Sequence, residues 1–238
     1  MGRAYEVRKA SIQKTGAIKA KTYSLFAKEI YEVAKNGIPE IESNISLKRI
    51  VEKAKKNQVP SDIIDRAIEK AKGNNGETYE TITYEGFGPG DSTIIVKCLT
   101  DNVNRTIGFI RTAFNKTKSK LGVPNCVSYN YSNLGLLSFK YDDEEKVLDA
   151  LIEAEINVID IEKDNDEVIV SSYPSDFHRV KDVLEKLIPN IEYNLDEIGL
   201  YPKEKIILNE ENLELFKKLY NYLDDIEDVA TIYHNVEL

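Results

Sequence analysis

The sequence holds little of the chemistry most enzymes use: no tryptophan, one methionine, two cysteines and two histidines in 238 residues. Cys98 lies inside an apolar stretch and Cys126 in a different segment, with no C-x-x-C and no histidine nearby. Neither a disulfide framework nor a zinc site is expected, and both are read as buried free thiols. His178 is a lone imidazole on a helical pattern and His234 ends a strand-like run, with no nucleophile or carboxylate constellation around either. No catalytic residue is assigned. No apolar run approaches the roughly 20 residues that a membrane helix needs, so no membrane partner is expected. Residues 160–166 have the acidic look of a calcium loop, but the sixth position is Asn165 instead of Gly and the twelfth Ser171 instead of Glu. Neither metal nor cofactor is expected.

What is present is charge, unevenly placed. The net charge is −9, which ordinarily disfavours nucleic acid. Yet residues 1–72 carry 16 Lys and Arg against 9 Asp and Glu, and the rest carry 16 against 32. A polyanion should therefore meet the front of the chain. Residues 1–21 form a basic arm, with Arg3, Arg8, Lys9, Lys14, Lys19 and Lys21 against Glu6 alone. Its apolar content is too thin to specify a packed helix, and it reads as a contact for phosphates or as an ordinary solvated tail.

Three amphipathic patterns follow. Tyr23, Phe26, Ala27, Ile30, Val33 and Ala34 recur at helical spacing up to Asn36-Gly37; Leu47, Ile50, Val51 and Ala54 make a second stripe; Ile64, Ala67, Ile68 and Ala71 a third, opened by Pro60-Ser61 and closed by Gly73. One stripe each predicts a three-helix bundle with its lysines outside. Lys48, Arg49, Lys53, Lys55 and Lys56 are the densest cations. No stripe shows the base-reading side chains of a recognition helix, which favours backbone over base contacts. Gly73-Asn74-Asn75-Gly76 reads as a hinge.

Residues 81–114 organise the remainder. Two strand-like runs, 79–84 and 93–100, flank Gly86-Phe87-Gly88-Pro89-Gly90, which is too rich in glycine and proline to be strand. A hairpin loop accounts for it; a phosphate cradle is the alternative, although the Lys-Ser/Thr of a P-loop is missing. The second run ends in Asp101-Asn102-Val103-Asn104-Arg105-Thr106, where Asp101 or Asn102 can cap a helix. Arg105 is either an anion clamp or the partner of Asp101, and both readings stay open.

Further on, residues 127–131 alternate like a strand, and from Leu134 the periods run β-α-β-β-α-β to Leu195, a ferredoxin-like order. A last helix, with Leu213, Phe216, Leu219 and Leu223, and a strand over 229–233 supply what the layer around residues 79–131 lacks. The expected fold is α+β: arm and bundle over 1–75, a central α/β domain over 76–133 completed by the tail 203–238, and a ferredoxin-like βαββαβ domain inserted over 134–202.

TYEGFGPGD followed by TDNVNRT resembles the paired signature of the YebC family, whose members are described as probable transcriptional regulatory proteins and, in mitochondria, as translational activators of cytochrome c oxidase subunit I. The likeness runs from Gly2-Arg3 to His234-Asn235, and the opening Gly2-Arg3-Ala4-Tyr5 is similar to the second bacterial subgroup. The segment Lys118–Cys126 departs from the family's Gly-Gly and Thr-x-Gly-Ser pattern. The likeness starts at Gly2, so a cleaved leader is not expected, and the chain is read as cytoplasmic and monomeric. The resemblance implies the same three domains and a non-enzymatic factor. Its expected role is relief of ribosome stalling, for example at proline-rich sequences, through backbone contacts to ribosomal RNA or tRNA; DNA-binding transcriptional regulation is the alternative. The nucleic-acid residues expected are Arg3, Arg8, Lys9, Lys14, Lys19, Lys21, Lys48, Arg49, Lys55 and Lys56. A polar motif site is expected from Glu85, Gly86, Gly88, Asp101, Asn102, Asn104 and Arg105.

Overall fold

The computed structural model describes residues 18–73 and 78–237, with side chains from Lys21 onward. Arg3, Arg8, Lys9 and Lys14, the Lys19 side chain and the Asn74-Asn75-Gly76 hinge lie outside the described residues. Two compact units emerge from the contact pattern: the described part of Lys14–Cys126 with Leu208–Ile232, and Val127–Ile207 with the described part of Tyr233–Leu238.

In the first unit the three apolar stripes become helices α1 (Ile18–Lys35), α2 (Ile45–Lys56) and α3 (Ser61–Lys72). Their shared core is Phe26, Ile30, Ala34, Leu47, Val51, Ile64 and Ile68, joined by Tyr31 and Val59. Asn44 caps α2 by accepting from the Leu47 amide at 3.0 Å, which satisfies one of the orphan donors of the first turn.

Strands β1 (Glu80–Phe87) and β2 (Thr93–Thr100) pair antiparallel from Glu80 opposite Thr100 to Phe87 opposite Thr93. They are followed by helix α4 (Val103–Lys116) and a two-residue strand β3 (Lys120–Leu121). The tail returns as helix α7 (Glu210–Asp224) and strand β8 (Val229–His234), giving the sheet order β3-β1-β2-β8. Helices α1 and α4 both pack on β2, which is buried at every position except Lys97.

The structure corrects two sequence expectations here. Gly86 and Phe87 belong to β1, not to the loop. Gly86 is a packing glycine: a Cβ there would sit 2.4 Å from a Phe114 ring carbon and 2.7 Å from the Lys120 carbonyl oxygen. Residues 127–131 are not a strand. Ser128–Asn130 form a 3₁₀ turn, and the next strand, β4 (Tyr131–Lys140), begins where that turn ends.

The second unit follows the expected alternation: β4, α5 (Glu144–Glu153), β5 (Val158–Asp164), β6 (Glu167–Ser172), α6 (Phe177–Leu187) and β7 (Tyr193–Pro202). Its sheet order, β5-β6-β4-β7, places the first and third strands of the module at the centre, the ferredoxin-like arrangement. Leu137, Phe139, Val168 and Val170 bury against Val147, Leu151, Val180 and Leu184 of the two helices. His234 lies in this unit, buried. Burial pushes its imidazole down to about 4; the neighbouring Lys205 charge adds to the depression, and a backbone hydrogen bond at Val236 opposes it.

Candidate functional site

The polar corner at the end of β2 is organised by a residue that lies far along the chain. Asn102 caps α4, its side-chain oxygen accepting from the Arg105 amide at 3.0 Å. That leaves Asp101 free to accept from Arg105 Nη2 at 2.7 Å. The same Nη2 donates to Asp228 Oδ2 at 2.9 Å. Asp228 sits between α7 and β8, and its main-chain oxygen accepts from the Leu99 amide at 2.8 Å, tying that turn to β2. Oδ2 also lies 3.2 Å from the Thr100 hydroxyl and 2.8 Å from the Thr106 hydroxyl, both able to donate. Oδ1 accepts from Lys28 Nζ of α1 at 3.1 Å.

Only 3% of the Asp228 side chain is exposed, against 11% for Lys28 and 42% for Arg105. Burial raises the Asp228 pKa, but hydrogen bonds from Arg105, Thr106 and Lys28 outweigh it, and the carboxyl is held below its ordinary value. Arg105 is raised in return by its hydrogen bonds to Asp228 and Asp101. A buried carboxylate with this many donors is a fully satisfied hub, which fixes helix, strand and turn in one geometry.

Helix α1 meets the acidic turn along one face. Lys21 pairs with Asp224 at 3.1 Å, the Ser24 hydroxyl reaches Glu227 at 3.3 Å, and Lys28 takes Asp228: steps of three and four residues, which share a helix face. Lys28 also lies 5.7 Å from the centre of the Tyr79 ring. Around the Lys28 and Arg105 head groups is a cleft of about 520 Å³, walled by Tyr79, Asp101, Phe109 and residues 225–228. Both cations already serve acids. Arg105 keeps Nη1 and Nε without partners among the described residues, and Phe109 is half exposed beside it.

The two halves of the expected polar motif are not brought together. The β1–β2 register puts Glu85 opposite Ile95, five residues along the hairpin from the Glu80–Thr100 end that carries Asp101. That is about 16 Å of strand. Glu85 instead fastens the 118–126 segment: its buried carboxylate accepts from the Asn125 amide at 2.9 Å and its main-chain oxygen from the Gly122 amide at 2.8 Å. The glycine loop offers no open cradle. Gly88 N donates to the Ser92 carbonyl at 2.8 Å, and a Cβ on Gly90, at φ +61°, would come within 2.8 Å of Leu208 and Asn212 side-chain atoms. Asn104 is exposed on α4.

Of the cations expected to meet nucleic acid, Lys21 is committed to Asp224. Lys48, Arg49, Lys55 and Lys56 are exposed on α2, together with Lys53, while Leu47, Val51 and Ala54 turn inward. Lys48, Arg49 and Lys55 have no ion-pair partner among the described residues. Lys53, Lys55 and Lys56 fall in the last turn, where the helix dipole favours positive charge. Sequence reasoning missed Lys28, Thr100, Thr106 and Asp228 as a group; no local signal marks Asp228, which looks like one more acid in an acidic tail.

Comparison with known proteins covers the whole chain. Residues 3–74 match the TACO1/YebC protein N-terminal domain, and residues 79–236 match the TACO1/YebC second and third domain. A probable transcriptional regulatory protein of Hydrogenovibrio crunogenus is 46% identical, covering 100% of both chains. One of Marinobacter nauticus is 43% identical, covering 100% of this chain and 99% of its own. The crystal structure of a conserved hypothetical protein from Aquifex aeolicus superposes with a TM-score of 0.77 at 32% identity, over 94% of this chain and 92% of that one.

Proposed function

The chain belongs to the TACO1/YebC family, and on that premise we propose that it is a non-enzymatic translation factor that binds RNA at the ribosome and relieves stalling, for example at proline-rich sequences. The observation that carries this reading is the division of labour among the cations of the bundle. Lys21 and Lys28 on α1 neutralise the acidic turn and hold the bundle on the sheet, whereas Lys48, Arg49, Lys53 and Lys55 on α2 stay exposed. A row of exposed cations along one helix suits phosphate contacts along an RNA backbone. The rest of the chain, strongly acidic, is repelled by the same polyanion, so the protein presents its front to RNA.

The glycine loop, as a phosphate cradle for an enzyme, is closed on itself. No described group of three or more His, Cys, Asp or Glu could hold a metal ion. No described helix is long and apolar enough to cross a membrane. Transcriptional regulation through DNA is the second reading, favoured by the names of the relatives, probable transcriptional regulatory proteins.

Binding to ribosomes, to structured RNA and to random duplex DNA across a salt series separates the two. Phosphate contacts predict a log–log salt slope of about −0.7 to −0.9 per contact, and each of Lys48→Ala, Arg49→Ala and Lys55→Ala should flatten it by roughly one contact without altering sequence preference. A single duplex sequence bound roughly 10³-fold tighter than random DNA, with no preference for ribosomes, would move the assignment to transcription.

A further inference from the structure

The second unit has two faces, and its helices cover only one. Both α5 and α6 pack on the side of Leu137, Phe139, Val168 and Val170. Successive side chains of a strand alternate, so Leu136, Ile169 and Leu195 belong to the opposite side, where they form a separate cluster with Tyr201 and Leu134. These are not exposed residues: Leu136 is 0% exposed, Ile169 3% and Leu195 5%.

The rim of that face is acidic. Asp160 and Glu162 stand on β5, Glu167 on β6 and Glu197 on β7, in register with the apolar centre. Glu167 is engaged by Ser138 and Asn194, each at 2.8 Å, and Glu197 accepts from the Tyr201 hydroxyl at 2.7 Å. Glu162 keeps one buried carboxylate oxygen that has no hydrogen-bond partner among the described residues. Residues 127–207 as a whole carry 19 Asp and Glu against 8 Lys and Arg. Sheet faces of ferredoxin-like modules that bind RNA stack bases on exposed aromatics beside cations. This one, with carboxylates around buried aliphatics, repels RNA.

What it suits is a short, basic, partly apolar segment, and the sequence contains one. We propose that this face is the docking site of the chain's own N-terminal segment, residues 1–17. The charges match: the segment carries Arg3, Arg8, Lys9 and Lys14 against one acid, Glu6. Ala4, Tyr5, Val7, Ala10 and Ile12 interleave with the cations, so an apolar side chain can sit over Leu136 and Ile169 while its neighbours reach the carboxylates. The size matches too, since ten extended residues span about 33 Å and four strands about 19 Å. The docking stands whether or not the protein binds RNA.

The test uses trypsin on the full chain. Docked, the bonds after Arg3, Arg8, Lys9 and Lys14 are protected; Asp160→Lys with Glu162→Lys should release the segment and speed its cleavage about tenfold, the factor two lost surface charge pairs give. Equal cleavage rates in wild type and variant would overturn the proposal. So would protection that grows with protein concentration, which assigns the face to the segment of a second copy. A labelled peptide of residues 1–17 added to a chain that begins at Ile18 supplies the second arm. Saturable anisotropy that Glu162→Gln weakens is expected; no binding, or binding indifferent to that change, refutes the site. Binding of an unrelated basic peptide with equal strength also refutes it, and marks the face as a general acceptor for basic partner proteins.

Discussion

Replacing Asp228 with Asn probes the hub with almost no change of shape. The carboxylate receives Lys28, Arg105, Thr100 and Thr106. An Asn keeps one acceptor oxygen, but its NH₂ points a donor at donors and the negative charge is gone. Breaking a buried ion pair from one side costs about 3–5 kcal/mol, because the partner is left charged and dry. Lys28, 11% exposed, pays nearly that. Arg105, 42% exposed and still holding Asp101, adds no more than an exposed pair, about 0–1 kcal/mol. A loss of about 3 kcal/mol is expected, read from urea unfolding as a lower midpoint with unchanged slope. Lys28→Met should cost clearly less in the Asp228→Asn background than in wild type, since the two changes remove one interaction. Acid supplies a control. The folded carboxyl titrates below its ordinary value of 3.8, so its stabilisation is complete above that pH and disappears as pH falls through the folded value. The gap between wild type and Asp228→Asn should therefore be constant above pH 3.8 and close below it. A loss under about 1 kcal/mol, or strict additivity with Lys28→Met, would refute the hub.

His234, with its imidazole held at about 4 against an ordinary 6.5, binds fewer protons folded than unfolded between those values. Stability is full above pH 6.5 and should fall by up to about 3 kcal/mol towards pH 4, a slope that His234→Gln removes in pH-dependent unfolding. Gly86→Ala forces a methyl against Phe114 and should cost about 1–3 kcal/mol by chemical denaturation; an unchanged midpoint would mean the ring moves freely. The Tyr84 hydroxyl is buried without a hydrogen-bond partner among the described residues, so Tyr84→Phe should be neutral or raise stability by up to about 1 kcal/mol in the same assay.

How much of this was legible depends on range. The bundle helices, both central strands and the βαββαβ order follow from periods of 3.6 and 2, but the ends are less legible: α1 starts five residues before Tyr23, and β1, β4, β5 and β7 run past their alternation. The hub was not legible. TDNVNRT announces a polar corner, but whether Arg105 is a clamp or a strut is decided by Asp228, 123 residues further on. Likewise Lys21 reads as a phosphate contact until Asp224 is placed beside it. Gly86 misleads because it sits next to real turn residues; a glycine chosen for contact with Phe114 looks the same in sequence as one chosen for φ. Two-residue β3 has no period to detect, and residues 127–131 alternate too briefly for the pattern to mean strand.

The order in which the hub's parts are made sets a timetable. Lys28 precedes Asp228 by 200 residues and Arg105 precedes it by 123. At about 5–20 residues per second, Arg105 waits roughly 6–25 s on the ribosome for its buried acid, with β2 lacking its β8 neighbour throughout. During that interval residues 127–207 are synthesised and can close their own sheet from local pieces, while α1 and the β1–β2 hairpin present unpaired lysine, arginine and strand edge. A nascent chain of this protein therefore passes through a state that is more basic and more adhesive than the finished one, and a chaperone would find its substrate there.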